Sequence, residues 1–160
     1  MSLPRTPSQT VGPYYAIGLC RRPDDELVPV AEGLRLIGRL LDGEETGIDG
    51  MIEVWDGSRW GRSGTDSEGA FQFSVAKPEA AAGEAPHLEL VVFARGLLVH
   101  QFTRVYFPDE AEANAADPVL SALDEEARST LVAEAEDGAL RFDIRMQGER
   151  ATVFFEHPSR

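Results

Sequence analysis

Cysteine is nearly absent from this 160-residue chain, and the single residue, Cys20, excludes an intrachain disulfide and any metal centre built from several thiolates. It reads as a small apolar residue in a protein of a reducing compartment. Histidine is almost as scarce, limited to His87, His100 and His157. Basic residues are outnumbered, 15 lysines and arginines against 28 acids, for a formal charge of −13. That charge repels phosphate backbones and anionic bilayers, so neither nucleic acid nor membrane is expected as a partner. No apolar run approaches the roughly 18 residues of a bilayer-spanning helix, and MSLPRTPSQ lacks the apolar stretch of a secretory signal. A cytoplasmic location is therefore expected. No phosphate-cradling glycine loop is present, and neither Ser8 nor Ser63 has a histidine in a nucleophile context.

What the chain does have is the pattern of strands. Apolar alternation and β-branched or aromatic runs predict strands over Arg35 to Asp42, Met51 to Asp56, Ala70 to Val75, Leu88 to Ala94, Leu98 to Phe107, Leu140 to Met146 and Thr152 to Glu156. Asp-Gly, Glu-Gly, Arg-Gly and Gln-Gly pairs separate them, among them Asp56-Gly57, Arg95-Gly96 and Asp137-Gly138. Short strands punctuated this regularly predict an all-β fold, an antiparallel β-sandwich, in one domain over residues 1–160. One short helix is expected, with Asp117 as N-cap and Pro118 at its first position. Thr130 to Glu134 fits helix and strand equally.

The N-terminal segment Thr6 to Tyr15, TPSQTVGPYY, is of another kind. Pro7 and Pro13 fix φ, and Pro13 pushes Gly12 out of the helical region, so an extended arm is expected. Such an arm either tucks along the core edge or displays Ser8, Gln9, Thr10, Tyr14 and Tyr15 toward a site. Elsewhere His87 and Glu89, two apart in a predicted strand, face the same side and with His100 compose a candidate two-histidine, one-carboxylate iron(II) site. Arg95, at a strand-to-glycine turn, is either a surface ion-pair partner or an anchor for an anionic ligand.

The arm, MIEVWD, GRSGTDSEGAFQFSVAKP, APHLELVVFARG, TRVYFPDE, DPVL and RFDIRMQGERATVFFE together resemble the α-type subunits of heteromeric intradiol ring-cleavage dioxygenases, over nearly the whole chain. The resemblance implies a sandwich with the intradiol dioxygenase core, paired with a β subunit in a higher-order hetero-oligomer. It implies cleavage of 3,4-dihydroxybenzoate by O2 to 3-carboxy-cis,cis-muconate, a step of aromatic degradation by the β-ketoadipate route, with non-haem Fe(III) as cofactor. In catalytic β subunits two tyrosines and two histidines hold that metal. The resemblance sets Ser63, in Gly61-Arg62-Ser63, at the first tyrosine, finds no second tyrosine within Lys77 to Pro86, and leaves His87 and Glu89 where the histidine pair stands. The iron is therefore expected on the β subunit, with no catalytic residue in this chain. Residues 1–15 are expected to line the partner's active site: Thr10, Gly12 and Pro13 bordering the substrate, Tyr14 supporting the arm or touching the β subunit. Arg95 is expected nearest the substrate carboxylate. The alternative is a non-catalytic β-sandwich that serves as a binding or scaffold module.

Overall fold

The computed structural model describes residues 6–7, 9–10, 12, 18–20, 27, 32–81 and 83–156. Strands whose alternate side chains are apolar bury one face each, and here they stack as two sheets. In the first sheet β1 (Leu34–Leu41) lies between β4 (Ala70–Val75) and β8 (Ala139–Arg141), with β7 (Glu134–Glu136) outside β8 and β9 (Ile144–Arg145) pairing farther along β1. The second sheet runs β3 (Trp60–Gly64), β2 (Gly50–Trp55), β5 (His87–Ala94), β6 (Gln101–Tyr106). Pairing is antiparallel except where β8 and β9 join β1 in parallel.

Leu36, Leu40, Phe71 and Phe73 of the first sheet meet Ile52, Val54, Leu88, Leu90 and Val92 of the second in the main core. A smaller cluster, Ala85, Tyr106, Leu120 and Leu131, covers the opposite face of the second sheet at its β6 end. Beside it run three short helices, α1 (Ala111–Ala116), α2 (Pro118–Ser121) and α3 (Glu125–Ser129), where the sequence predicts one, and α2 contributes Leu120 to the cluster. The predicted one is α2. Asp117 caps it by accepting from the N–H groups of Val119 at 2.8 Å and Leu120 at 3.0 Å.

The other differences have local causes. Leu140 to Met146 splits into β8 and β9, because Arg39 N of β1 donates at 3.1 Å to the Asp143 side chain and not to a backbone carbonyl, which interrupts the ladder between Phe142 and Ile144. Thr152 to Glu156 contributes only an isolated bridge, Phe155 to Phe102, and the stretch predicted from Leu98 is a strand only from Gln101. The unpredicted β3 carries two glycines in WGRSG and has no apolar alternation. It forms because the buried Asp56 carboxylate folds the preceding turn, accepting from Ser58 N at 3.1 Å, Arg59 N at 2.7 Å and Arg59 Nε at 2.9 Å. The unpredicted β7, EAE, is exposed and pairs with β8 across the two-residue turn Asp137-Gly138.

The N-terminal segment is tied to this frame at two described points. Leu27 N donates to Ser74 O of β4 at 2.9 Å, and Cys20 packs against Gly64 at the end of β3. Among the described residues no helix is long and apolar enough to cross a membrane.

Gly38 is where β1 passes closest to its neighbours: a Cβ there would lie 1.9 Å from the Phe142 carbonyl oxygen and 2.7 Å from the Phe71 ring. Overpacking of this kind costs about 3 kcal/mol, so Gly38→Ala should lower the urea midpoint clearly. An unchanged midpoint would mean that β1 can move away from Phe142.

Candidate functional site

Arg95 follows β5 directly. Its N–H donates to Asp49 O at 3.2 Å, extending the β5–β2 ladder by one step beyond the Gly50–Ala94 pair. Gly96 then takes φ +97°, a conformation open to glycine, and Leu97 N returns to Ala94 O at 3.1 Å to close the turn. The backbone of Arg95 is thus fixed while its side chain is exposed, and among the described residues no carboxylate pairs with its guanidinium.

Of the arm, Thr10 and Gly12 are described. Thr10 is exposed and its Oγ1 accepts from Gly12 N at 3.1 Å, with Gly12 at φ +62°. The expected extended arm is thus bent locally at Gly12, in a conformation that glycine adopts freely. Pro13, Tyr14 and Tyr15, as well as Ser8 and His157, lie outside the described residues.

The structure does not assemble the three-residue iron(II) site. His87 pairs with Tyr106 at one end of the β5–β6 ladder, whereas His100 precedes β6 at the other end. At ~3.3 Å per residue the two imidazoles are about 20 Å apart. His100 instead packs its ring near Phe93 at 5.3 Å and Phe102 at 4.9 Å. Ser63 does not approach His87 either: it pairs with Ile52, whose side chain enters the core, while His87 and Glu89 project from the opposite face.

What surrounds His87 is a hydrogen-bonded network that the sequence did not disclose. The imidazole Nδ1 lies 2.9 Å from Ala85 O, and the ring packs on Tyr106 at a centroid distance of 5.3 Å. Tyr106, fully buried, donates its hydroxyl to Asp117 Oδ1 at 3.3 Å and accepts from Arg104 Nη1 at 3.3 Å. Burial, opposed by Arg104, pushes the phenol up to about 12, so it stays protonated. Asp117 Oδ2 accepts from Ala85 N at 2.8 Å, which links α2 to the approach of β5. Among the described residues no group of three or more histidine, cysteine or carboxylate side chains is arranged to hold a metal. With Tyr106 neutral and engaged, Ser63 on the other face and His87 alone, the described residues do not fit a ferric centre. A cleft of about 800 Å³ opens elsewhere, beside β3 and β4, but its Arg39, Arg62 and Arg141 each face a carboxylate of the same chain, Glu68, Glu53 and Asp143.

The fold aligns with the solved intradiol ring-cleavage dioxygenase of Tetranychus urticae at a TM-score of 0.60 and 13% identity, covering 99% of this chain and 97% of that one. The sandwich is therefore that of the intradiol dioxygenases. No family model matches the sequence. Two curated relatives are protocatechuate 3,4-dioxygenase alpha chains. The one from Burkholderia cepacia is 41% identical over 194 residues, covering 97% of this chain and 98% of the relative. The one from Pseudomonas putida is 38% identical over 195 residues, covering 96% and 97%. The chain belongs to the protocatechuate 3,4-dioxygenase alpha-chain family.

Removing the Asp117 carboxylate strands three backbone N–H groups and the Tyr106 hydroxyl, so Asp117→Ala should destabilise the chain by about 3 kcal/mol. Burial alone would raise this carboxyl, but the N–H groups of Leu120, Ala85 and Val119 and the Tyr106 hydroxyl outweigh it and hold it below its ordinary range. A lowered folded pKa contributes stability above the unfolded value that is lost as pH falls through the folded one. The urea midpoints of the two proteins should therefore converge in acid. A gap independent of pH would assign the loss to packing.

Proposed function

We propose that this chain is the iron-free, substrate-side subunit of a heteromeric protocatechuate 3,4-dioxygenase. Its near-full-length likeness to curated alpha chains carries this reading over that of a free-standing binding module. Alpha implies a second kind of chain, and we assign ferric iron, the cofactor of the family, to that β partner, which supplies the ring-activating chemistry. No step through the metal is assigned here. The chain's part is to bind and orient 3,4-dihydroxybenzoate while O2 reacts with it at the partner's centre, in a higher-order hetero-oligomer.

Thr10, Gly12, Pro13 and Tyr14 of the arm form one wall of that pocket in this reading. A pre-shaped wall positions a flat ring with little loss of freedom on binding. Arg95 is the carboxylate anchor. Its held backbone and exposed side chain, unpaired among the described residues, support this, as does the −13 formal charge, against which an anionic substrate needs a local cation. A planar guanidinium meets both carboxylate oxygens at once.

Charge-assisted hydrogen bonds of this kind contribute roughly 1.5 to 3 kcal/mol, so Arg95→Ala should lower kcat/KM for protocatechuate about ten- to a hundredfold. Catechol, which lacks the carboxylate, should lose much less, and Arg95→Lys should recover only part. The measurement is made on the complex with its β partner, with iron content checked. Equal losses for both substrates would remove Arg95 from the pocket.

The arm gives an independent test. Cys20 and Leu27 anchor the segment downstream of it, so deleting residues 1–13 should leave an assembled complex with weakened turnover. Full activity after the deletion would reduce the arm to edge packing.

A further inference from the structure

Side chains of β5, β6 and the loop ahead of β5 cluster around one guanidinium on the outer face of the second sheet. His87 and Glu89 stand two apart on β5, and Tyr106 and Arg104 lie directly opposite them on β6, so all four share a face. Glu84, from the loop ahead of β5, completes the group. Its Oε2 is 3.2 Å from Arg104 Nη1 and 3.8 Å from His87 Nε2. Arg104 Nη2 lies 4.0 Å from Glu89 Oε1, Nη1 lies 3.3 Å from the Tyr106 hydroxyl, and the guanidinium covers the Phe155 ring at 5.9 Å.

The tautomer of His87 follows from its neighbour. A carbonyl oxygen only accepts, so the 2.9 Å contact with Ala85 O puts the ring proton on Nδ1 and leaves the lone pair of the neutral imidazole on Nε2. That is the form in which imidazole ligates a metal. An imidazole lone pair and two carboxylates are donors of the type that zinc(II) or iron accepts. Here the two carboxylates already flank a cation supplied by the chain itself, and Glu84 reaches both that cation and His87.

We propose that Arg104 is the resident cation of this cluster and closes it to metal ions. A metal bound at Nε2 of His87 would share Glu84 with the guanidinium and be repelled by it at short range. Returning a second imidazole to position 89 leaves that repulsion in place, so donor chemistry alone does not reopen the site. Taking away the positive charge at position 104 does. The inference rests on the reading that this chain holds no iron, and it adds the residue that enforces it.

The test is zinc(II) binding by equilibrium dialysis to the complex with its β partner, counted as metal in excess of the unsubstituted complex. Glu89→His alone should bind no additional zinc. Glu89→His with Arg104→Gln should bind about one more ion per chain, at least tenfold more tightly than Glu89→His alone. His87→Ala in that background should abolish the gain, and Arg104→Lys in place of Arg104→Gln should keep the site closed. If Arg104→Gln prevents assembly, Arg104→Met, which keeps an unbranched stem against Phe155, takes its place. Additional zinc in Glu89→His alone that disappears with His87→Ala overturns the proposal. So does the absence of additional zinc from an assembled, charge-neutral double variant. Loss of the complex's own iron on His87→Ala in the otherwise unsubstituted chain would instead overturn the reading that this chain holds none.

Discussion

Strand β5 is held on both edges, by β2 from Gly50–Ala94 to Trp55–Glu89 and by β6 from His87–Tyr106 to Val92–Gln101. Because side chains alternate at every residue, this register decides which face each residue of β5 serves. Leu88, Leu90 and Val92 enter the core, and His87 and Glu89 are turned to the outer face. The same pairing fixes where β5 stops. Asp49 extends the ladder by one hydrogen bond, and Arg95 leaves the sheet at that point with its backbone held and its side chain exposed. A slip of one residue would bury His87 and Glu89 and expose the leucines, so the two regions of functional interest at opposite ends of β5 share one structural cause.

The outer face at the β6 end is also where polar groups are most deeply withdrawn from water. Burying a phenol and a carboxylate is unfavourable unless their hydrogen-bonding capacity is met. Asp117 meets it with both oxygens, serving α2 through Val119 and Leu120, the approach to β5 through Ala85, and β6 through Tyr106. One carboxylate therefore joins the helical layer to the sheet. Arg104 extends the network toward solvent through Glu84 and Glu89, and His87 closes it. His87, which could have served as a metal ligand by its residue type, is in this chain a member of a protein-only network.

The distribution of cations follows the same logic. Arg59, Arg62, Arg104, Arg141 and Arg145 each face a carboxylate of their own chain, Asp56, Glu53, Glu84, Asp143 and Glu45. The more exposed of these pairs, such as Arg145 with Glu45, contribute little to stability individually. Their larger effect is on the local field, since a paired guanidinium has little left to offer an anionic ligand. Arg95, like Arg35 and Arg128, forms no ion pair with a described carboxylate, and of these it stands at the end of β5 with its backbone held.

Several features were legible in the sequence for local reasons. Alternation in LRLIGRLL and AFQFSV specifies strands, Asp117-Pro118 specifies a helix start, and Asp137-Gly138 specifies a tight turn. The motifs that resemble the intradiol dioxygenases were also legible, and with them the departure from their ligand set. What no local pattern carries is register and the meeting of distant segments. The strand β3 has no periodicity of its own and exists because Asp56 folds the turn before it and β2 pairs with it. His87, Glu89 and His100 looked like one donor set until pairing set the two histidines at opposite ends of a hairpin. Arg104 and Glu84 are 20 residues apart and meet at 3.2 Å only once β6 has paired with β5. The sequence by itself determined the longer strands, one helix start and the family, because these are written in short-range order; tertiary structure decided the remaining elements and which charges meet, because those depend on strand pairings between residues far apart in the chain.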